Sequence, residues 1–262
     1  MEKMYKVRFN SDYIPLIDED APRYRIIIPF KKLAWFTVAL PFFGFIFCVV
    51  WSIIYNFEAA TSTHCNVFNV LPSISAAIGH YKPQSDVWKT AIAIQVVIRA
   101  LILVMYYYYY QQTVYRWAQG VVNIALFSYA VENISLVTLS FWTSNENYAF
   151  HKLSFITFLL MSFVHMIVAT YICKNCRSSV RDPSESKSCV LKVRALTLNV
   201  ISILSACYFF WRHNQYCEPL VYSMFALSEY MVVMTNMMFH LTAAWDFAER
   251  RLLVSTRGLR IV

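Results

Sequence analysis

Residues 33–57 read LAWFTVALPFFGFIFCVVWSIIYNF, 25 consecutive residues without one charged side chain. A bilayer core about 30 Å thick needs about 20 apolar helical residues to cross it, so this run is long enough for a transmembrane helix. It follows a polar segment of 32 residues, and no small-residue cleavage site comes after it. Both features distinguish the run from a cleaved signal peptide. The stretch therefore predicts a membrane-embedded fold.

Five further stretches have the same character. The six predicted spans are Leu33–Phe57, Trp88–Tyr110, Gln119–Trp142, His151–Cys173, Val193–Trp211 and Pro219–Trp245. The composition agrees, because 58% of the 262 residues are hydrophobic and only 15% are charged, against about a quarter in a soluble domain. We expect an all-α fold, a polytopic bundle of six transmembrane helices. A disordered chain and a soluble enzyme do not fit this composition.

The positive charges predict the orientation of the bundle. Of the 23 lysines and arginines, 18 lie on the side that carries both termini, four lie on the opposite side, and Arg99 lies within a span. Cytoplasmic loops carry the excess of Lys and Arg, so both termini are expected in the cytoplasm. The net charge of +8 then reflects membrane topology, and no nucleic-acid partner is expected.

These spans divide the chain into two tails and one membrane domain. The predicted segments are a cytoplasmic N-terminal tail at 1–32, a six-helix transmembrane domain at 33–245 with lumenal loops at 58–87, 143–150 and 212–218, and a cytoplasmic C-terminal tail at 246–262. The tyrosine run Tyr106–Tyr110 falls at the cytoplasmic end of the second span. There it predicts an aromatic belt at the level of the lipid headgroups.

Polar residues inside the spans need a reason, because an ionisable group at the bilayer centre costs about 2.5–3.5 kcal/mol. Arg99, Glu132 and Glu229 lie near mid-depth, and helical spacing places Glu229, Asn236 and His240 on one stripe. Similar seams run along the third span (Ser128, Glu132, Ser135) and the fourth (His151, Ser154, Ser162, His165). We expect these seams to meet inside the bundle, with Arg99 pairing with Glu132 or Glu229. They serve either as interhelical packing or as the lining of a polar cavity.

The predicted lumenal loops hold a second set of polar residues. Cys65 and Cys217 are the two cysteines in these loops, and thiols in an oxidising compartment tend to pair. A disulfide between them would bring His64 close to His213. Histidines, with Arg212 and Glu218 nearby in the last loop, could perform acid–base chemistry on an ester. Ser73 and Ser75 are possible nucleophiles, although serines after a proline more often cap a helix.

Several motifs in these regions carry a resemblance to a known family. They are Thr63-His64-Cys65, Leu71–Gly79 (LPSISAAIG), Val131-Glu132-Asn133, Arg212–Glu218 (RHNQYCE) and stretches between Glu229 and Phe247. Together they resemble the Frag/DRAM/Sfk-type six-span membrane proteins, and within them members that act on GPI anchors after attachment to protein. The resemblance covers nearly the whole chain, from about Leu33 to Phe247.

The resemblance implies a multi-pass protein of the Golgi membrane, or of the endoplasmic reticulum membrane. It implies fatty-acid remodelling of GPI anchors, in which a lyso-GPI protein receives a saturated chain on the lumenal leaflet. The implied partners are membrane lipids, GPI-anchored proteins, an acyl donor lipid or acyl-CoA, and other remodelling enzymes. No cofactor and no metal are expected.

From the residues, His213 is the predicted general base, with Glu218 orienting it and His64 supporting the site. The predicted substrate-binding residues are Arg212, Asn214, Glu132, Glu229, Asn236, His240, His165 and Arg99. Three functions stay open at this point: an acyltransferase or an essential part of one, a non-enzymatic lipid-binding scaffold or chaperone, and a proton-coupled transporter. The last is disfavoured by the lack of an inverted repeat.

Overall fold

The computed structural model describes residues 5–9, 12–16, 24–79, 81–143, 146–255 and 258–261, with side chains over 28–79, 81–143 and 146–252. The chain forms two compact units. The larger comprises residues 31–248, and the smaller lies within residues 1–30 and 249–262.

The larger unit is helical. Its helices are α1 (Phe30–Tyr55), α2 (Phe57–Thr61), α3 (Ile74–Gly79), α4 (Gln84–Thr113), α5 (Gln119–Phe141), α6 (Tyr148–Asn175), α7 (Pro183–Tyr216), α8 (Val221–Leu241) and α9 (Ala243–Asp246). A 3-10 turn at Arg116–Ala118 precedes α5. The most extensive contacts are between α5 and α6 and between α7 and α8.

Among the described helices, α1, α4, α5 with its preceding turn, α6 and α7 are long and apolar enough to cross a membrane. The chain is therefore an all-α, multi-pass membrane protein over residues 31–248. Helix α8 lies within the sixth predicted span but is not among those five, because Glu229, Asn236 and His240 interrupt its apolar run. Helix α7 begins at Pro183, ten residues before its predicted span, because Asp182 and Glu185 form a capping box there.

The tyrosines of the run Tyr106–Tyr110 lie on different faces of α4, as expected for a helix. Tyr106 and Tyr110 are buried and stack on each other, whereas Tyr107 and Tyr108 are exposed. The Tyr106 hydroxyl donates to Asp246 at 2.6 Å. The aromatic-belt prediction is therefore wrong for Tyr106 and Tyr110, because α4 turns them toward the bundle and its polar groups.

The smaller unit contains strands in both tails, which the all-α expectation did not include. Strand β1 (Tyr5–Phe9) pairs with β2 (Asp12–Leu16) in an antiparallel hairpin. Strands β3 (Tyr24–Pro29), β4 (Arg251–Ser255) and β5 (Gly258–Ile261) form an antiparallel sheet in that order. The β3–β4 pairing joins the segment before α1 to the segment after α9.

One end of the bundle carries the bond between Cys65 and Cys217. We call it the disulfide end. The long segment between α1 and α4 is held there by α8. Ser223 Oγ accepts from the backbone nitrogens of Val70 and Leu71 at 2.8 and 3.3 Å, and Tyr230 donates to the Pro72 carbonyl at 2.5 Å. These bonds fix the position of α3.

Candidate functional site

A cavity of about 270 Å³ lies within the larger unit. Helix α3 and all six long helices contribute to its walls, which are predominantly apolar. The polar residues in its lining are Ser75, Gln95, Arg99, Ser140, His151, Glu229 and Asn236. An apolar pocket with a few convergent polar groups is typical of a small-molecule site, here one suited to a hydrocarbon chain.

The cavity runs along the helices from the disulfide end toward the middle of the bundle. Trp88, near the start of α4, and Arg99, eleven residues later, both line it. At 1.5 Å per residue they are separated by about 16 Å along the helix axis. The cavity is partly open, and its exposed lining residues Phe155, Cys207 and Phe210 lie on α6 and α7. The cavity therefore opens laterally between these two helices.

The inner end of the cavity is built around Arg99, whose side chain is buried. Its Nη2 donates to Glu132 Oε1 at 2.8 Å, and its Nε donates to Asn133 Oδ1. His240 Nε2 lies 2.8 Å from the same Glu132 oxygen. The guanidinium also lies over the Tyr129 ring, 5.2 Å from its centroid. The predicted pairing of Arg99 with Glu132 is confirmed.

Further polar groups extend this cluster across the bundle. Asn236 Nδ2 donates to Glu132 Oε1 at 3.2 Å and to Ser162 Oγ at 2.5 Å. The His165 ring stacks on that of His240, with centroids 5.6 Å apart, and its Nδ1 lies 3.0 Å from the Ala125 carbonyl oxygen. The polar seams of α5, α6 and α8 thus meet inside the bundle, as the spacing predicted.

Some hydrogen-bonding capacity in this cluster is unused. Among the described groups, Glu132 Oε2, Asn133 Nδ2 and Gln95 Oε1 are buried without a partner. Gln95 and Asn236 line the cavity, whereas Glu132, His165 and His240 lie behind Arg99 and do not. Of the predicted binding residues, Arg99, Glu229 and Asn236 line the cavity, and the other five do not.

At the disulfide end of the cavity, a serine and a histidine meet. Ser75 Oγ on α3 lies 3.3 Å from Nε2 of His151 on α6, and His151 Nδ1 lies 2.8 Å from the Trp142 carbonyl oxygen. Both side chains line the cavity. Glu229 also lines it, and its Oε2 accepts from the backbone nitrogen of Ile74 at 3.3 Å. Arg99 pairs with Glu132 and not with Glu229.

The disulfide between Cys65 and Cys217 is confirmed, with the two Cα atoms 5.3 Å apart. As expected, it brings together His64 and His213, whose ring centroids are 5.4 Å apart. His213 is only 1% exposed, and neither of its ring nitrogens has a partner among the described residues. However, the cavity lining includes neither histidine.

Arg212 and Glu218 form a partly exposed pair of their own. Two guanidinium nitrogens of Arg212 donate to the two Glu218 oxygens, at 2.5 and 3.0 Å. These hydrogen bonds hold the pKa of the Glu218 carboxyl below its usual range. Glu218 is therefore ionised at neutral pH and is bound to Arg212, so the geometry does not support its predicted role of orienting His213. Asn214 donates to the Phe210 carbonyl on its own helix.

His64, Cys65 and His213 bring three potential metal-ligating atoms within 4.8 Å of one another. A metal site of this kind needs the cysteine as a thiolate. The Cys65 sulfur is bonded to Cys217, so this set of side chains does not fit a metal.

Comparison with known proteins identifies the family. Residues 29–249 match the family model described as the Frag1/DRAM/Sfk1/Cwh43P N-terminal domain. The chain belongs to this family. No solved structure matches it.

Relatives within the Frag1/DRAM/Sfk1 family align over most of the chain. A Drosophila melanogaster protein named "Post-GPI attachment to proteins factor 2" is 42% identical over 84% of this chain and 86% of its own length. A Xenopus tropicalis protein named "Acyltransferase PGAP2" is 37% identical over 94% of this chain and 98% of its own length. A Caenorhabditis elegans protein, also named "Post-GPI attachment to proteins factor 2", is 31% identical over 87% of this chain and 89% of its own length.

The sequence alone does not bring Ser75 and His151 together. His151 belongs to the polar seam of the fourth predicted span, and Ser75 is a possible nucleophile in a loop 76 residues earlier. No spacing rule connects two such distant residues. The one sequence feature that relates Ser75 to His151 is that both lie at the same predicted end of the bundle.

We expect Arg99→Met to destabilise the protein strongly, because it leaves the Glu132 carboxylate buried without its cation. Breaking one partner of a buried ion pair costs about 3–5 kcal/mol. The double substitution Arg99→Met with Glu132→Gln should recover at least half of that loss. The measurement is unfolding of the purified variants in one detergent. Equal stability of the single and double variants would contradict the assigned pairing.

Removing the disulfide should destabilise the disulfide end. Cys65→Ser or Cys217→Ser is expected to lower the free energy of unfolding by about 2–5 kcal/mol, the usual cost of losing a native disulfide. A reducing agent should lower the melting temperature of the unsubstituted protein toward that of the variants and leave the variants unchanged. Cys207→Ser, at an exposed free cysteine, is the matched control. Insensitivity of the unsubstituted protein to reduction would refute this expectation.

Proposed function

We propose that this protein transfers a saturated fatty acyl chain to lyso-GPI-anchored proteins at the lumenal face of the Golgi membrane. The observation that carries the proposal is the apolar, laterally open cavity with polar groups at both ends. Reacylation requires a site that admits a hydrocarbon chain from the bilayer and holds its ester group near reactive side chains. The apolar walls, the opening on the α6–α7 side and the polar groups at both ends of this cavity support the proposal.

The names of the relatives support the same reaction. One relative is named an acyltransferase, and others are named factors acting after the attachment of GPI to proteins. Together, the two names describe acyl transfer on an attached anchor. The candidate acyl donors are a membrane phospholipid and acyl-CoA.

We propose six spans, with both termini in the cytoplasm. An odd number of crossings would place the two tails on opposite sides of the membrane, where β3 and β4 could not pair. Helix α8 has 21 residues, about 31 Å of helix, and so is long enough to be the sixth crossing. Asn236 and His240 bond to Glu132 inside the bundle and Glu229 lines the cavity, so its polar residues are compatible with a membrane crossing.

The same topology places the disulfide end in the lumen. A disulfide persists in the oxidising secretory pathway, which supports this orientation. The segments 58–87, 143–150 and 212–218 then form the lumenal loops, and 1–32 and 246–262 form the cytoplasmic tails. The loops that surround Ser75 and His151 therefore face the leaflet in which the lyso-GPI acceptor lies.

Among the predicted binding residues, we assign substrate contact to Arg99, Glu229 and Asn236, which line the cavity. Glu132, His165 and His240 do not line the cavity. Glu132 accepts hydrogen bonds from Arg99 and Asn236, and the two histidines pack beside it. Arg212 and Asn214 lie on the last turns of α7, beyond the cavity-lining Phe210. This position suits contact with the phosphate-containing headgroup of the acceptor.

The direct test is acyl transfer by the purified full-length protein. Lyso-GPI protein is supplied with labelled saturated acyl-CoA in one reaction and with labelled saturated phospholipid in another, and the product anchor is analysed by mass spectrometry. Transfer from either donor supports the proposal and identifies the donor class. Transfer that occurs only when a second remodelling enzyme is added would establish a scaffold role instead.

Filling the cavity should block transfer without unfolding the protein. Ala206 lines the cavity on α7, whereas Leu204 on the same helix is 64% exposed and does not line it. We expect Ala206→Phe to lower the transfer rate at least about tenfold, because the added ring occupies chain-binding space. Leu204→Phe should transfer the acyl chain at the rate of the unsubstituted protein. Equal rates for both variants would exclude the cavity as the chain site.

A further inference from the structure

In the hydrogen bond between Ser75 and His151, the donor and the acceptor can be identified. A carbonyl oxygen only accepts hydrogen bonds, so His151 Nδ1, 2.8 Å from the Trp142 carbonyl, carries the ring hydrogen. Nε2 of the neutral imidazole is then an acceptor. It lies 3.3 Å from Ser75 Oγ, so the serine hydroxyl donates to it. The backbone of Trp142 thus orients the ring that can remove the proton from Ser75.

The two serines of this loop have different surroundings. Ser73 Oγ accepts from the backbone nitrogen of Ala76 at 3.3 Å, which is the capping role that the sequence predicted. Ser75 instead lies in the first turn of α3 and contacts His151 across the cavity. Glu229 holds the preceding residue, Ile74, through its backbone nitrogen. This bond limits the movement of Ser75 relative to α8.

Three features occur together at this place. A hydroxyl nucleophile lies within hydrogen-bond reach of a base, the base is oriented by a third group, and both side chains line the cavity. This arrangement is that of covalent catalysis, in which the base activates a serine. A role in helix packing alone would not require the pair to line the site that takes the acyl chain.

We infer that Ser75 is the nucleophile that accepts the acyl chain and that His151 is its general base. This inference rests on the proposed acyl transfer and specifies its residues. The donor class is a long-chain acyl ester or thioester, whose chain occupies the apolar cavity and whose carbonyl lies at the disulfide end. His151 replaces His213 as the base, because His213 does not line the cavity.

The reaction proceeds in two balanced steps. In the first, Ser75 Oγ attacks the donor carbonyl carbon, its proton passes to His151 Nε2, and the donor alcohol or thiol leaves with that proton. The products are acyl-Ser75 and the deacylated donor. In the second, the lyso-GPI hydroxyl gives its proton to His151 and attacks the serine ester. Ser75 leaves as the alcohol, taking the proton back, and the acceptor carries the chain.

The first experiment needs no acyl donor. Purified full-length protein is treated with an alkyl fluorophosphonate, which modifies activated serines, and the labelled peptide is identified by mass spectrometry. We expect labelling at Ser75 that is lost in Ser75→Ala and reduced about 10²–10⁴-fold in rate in His151→Ala. Ser62→Ala, at an exposed serine outside the cavity, should label normally. Absence of labelling at Ser75 in the folded protein would overturn the inference.

The second experiment tests the role of Ser75 with a variant that keeps a nucleophile, in case Ser75→Ala does not fold. Ser75→Cys keeps a nucleophile at the same position and is made in a Cys207→Ala background, because Cys207 also lines the cavity. We expect this variant to retain measurable transfer and to be inactivated by an apolar thiol reagent, to which the background protein is insensitive. Retention of activity after complete modification of the introduced thiol would overturn the assignment.

The proposed function and the inferred pair fail in different ways. Labelling at Ser75 without transfer to lyso-GPI from either donor would contradict the proposed function and leave the activated serine established. Full transfer by folded Ser75→Ala protein would contradict the serine mechanism and leave the function in place. Loss of transfer in His213→Ala at normal stability, with His151→Ala unaffected, would return the role of base to His213.

Discussion

The structure depends on the placement of one buried cation. Water is absent from the bilayer core, so the Arg99 guanidinium needs partners from within the protein. Glu132 and Asn133 provide them, His240 lies 2.8 Å from the same Glu132 oxygen, and Asn236 connects the carboxylate to Ser162 on α6. This cluster joins α4, α5, α6 and α8 inside the bundle. It also closes the inner end of the cavity.

At the opposite end of the cavity, the loops are held by a disulfide and by hydrogen bonds to α8. The disulfide joins the first loop to the end of α7, and α8 holds the Val70–Ile74 segment through Ser223, Glu229 and Tyr230. Helix α3 is therefore fixed against α6, with Ser75 facing His151. Between the two fixed ends, the gap on the α6–α7 side leaves room for a lipid chain. Such a cavity, closed at both ends and open at the side, is the arrangement on which the proposed acyl transfer rests.

Sequence reasoning succeeded where one physical constraint dominated. The length of the apolar runs indicated the long helices. The cost of burying a charge predicted an ion pair between Arg99 and one of the two interior glutamates, and Glu132 is the partner. The oxidising environment of the lumen predicted the disulfide between Cys65 and Cys217. It failed where the outcome depended on three-dimensional position. Neither the burial of Tyr106 nor the bond between Glu218 and Arg212 follows from spacing, and the strand pairing of the two tails joins segments more than 200 residues apart. The meeting of Ser75 with His151 is of the same kind.

In the proposed reaction, the cavity holds the acyl chain of the substrate. The most direct test of this binding is photocrosslinking of the full-length protein, in membranes, with a phospholipid that carries a diazirine on a saturated chain. A chain bound in the cavity should give adducts on inward-facing residues such as Ile92, Val233 and Met237, which line the cavity. Adducts confined to exposed positions such as Val97, Phe127 and Leu204, with none in the cavity, would contradict it.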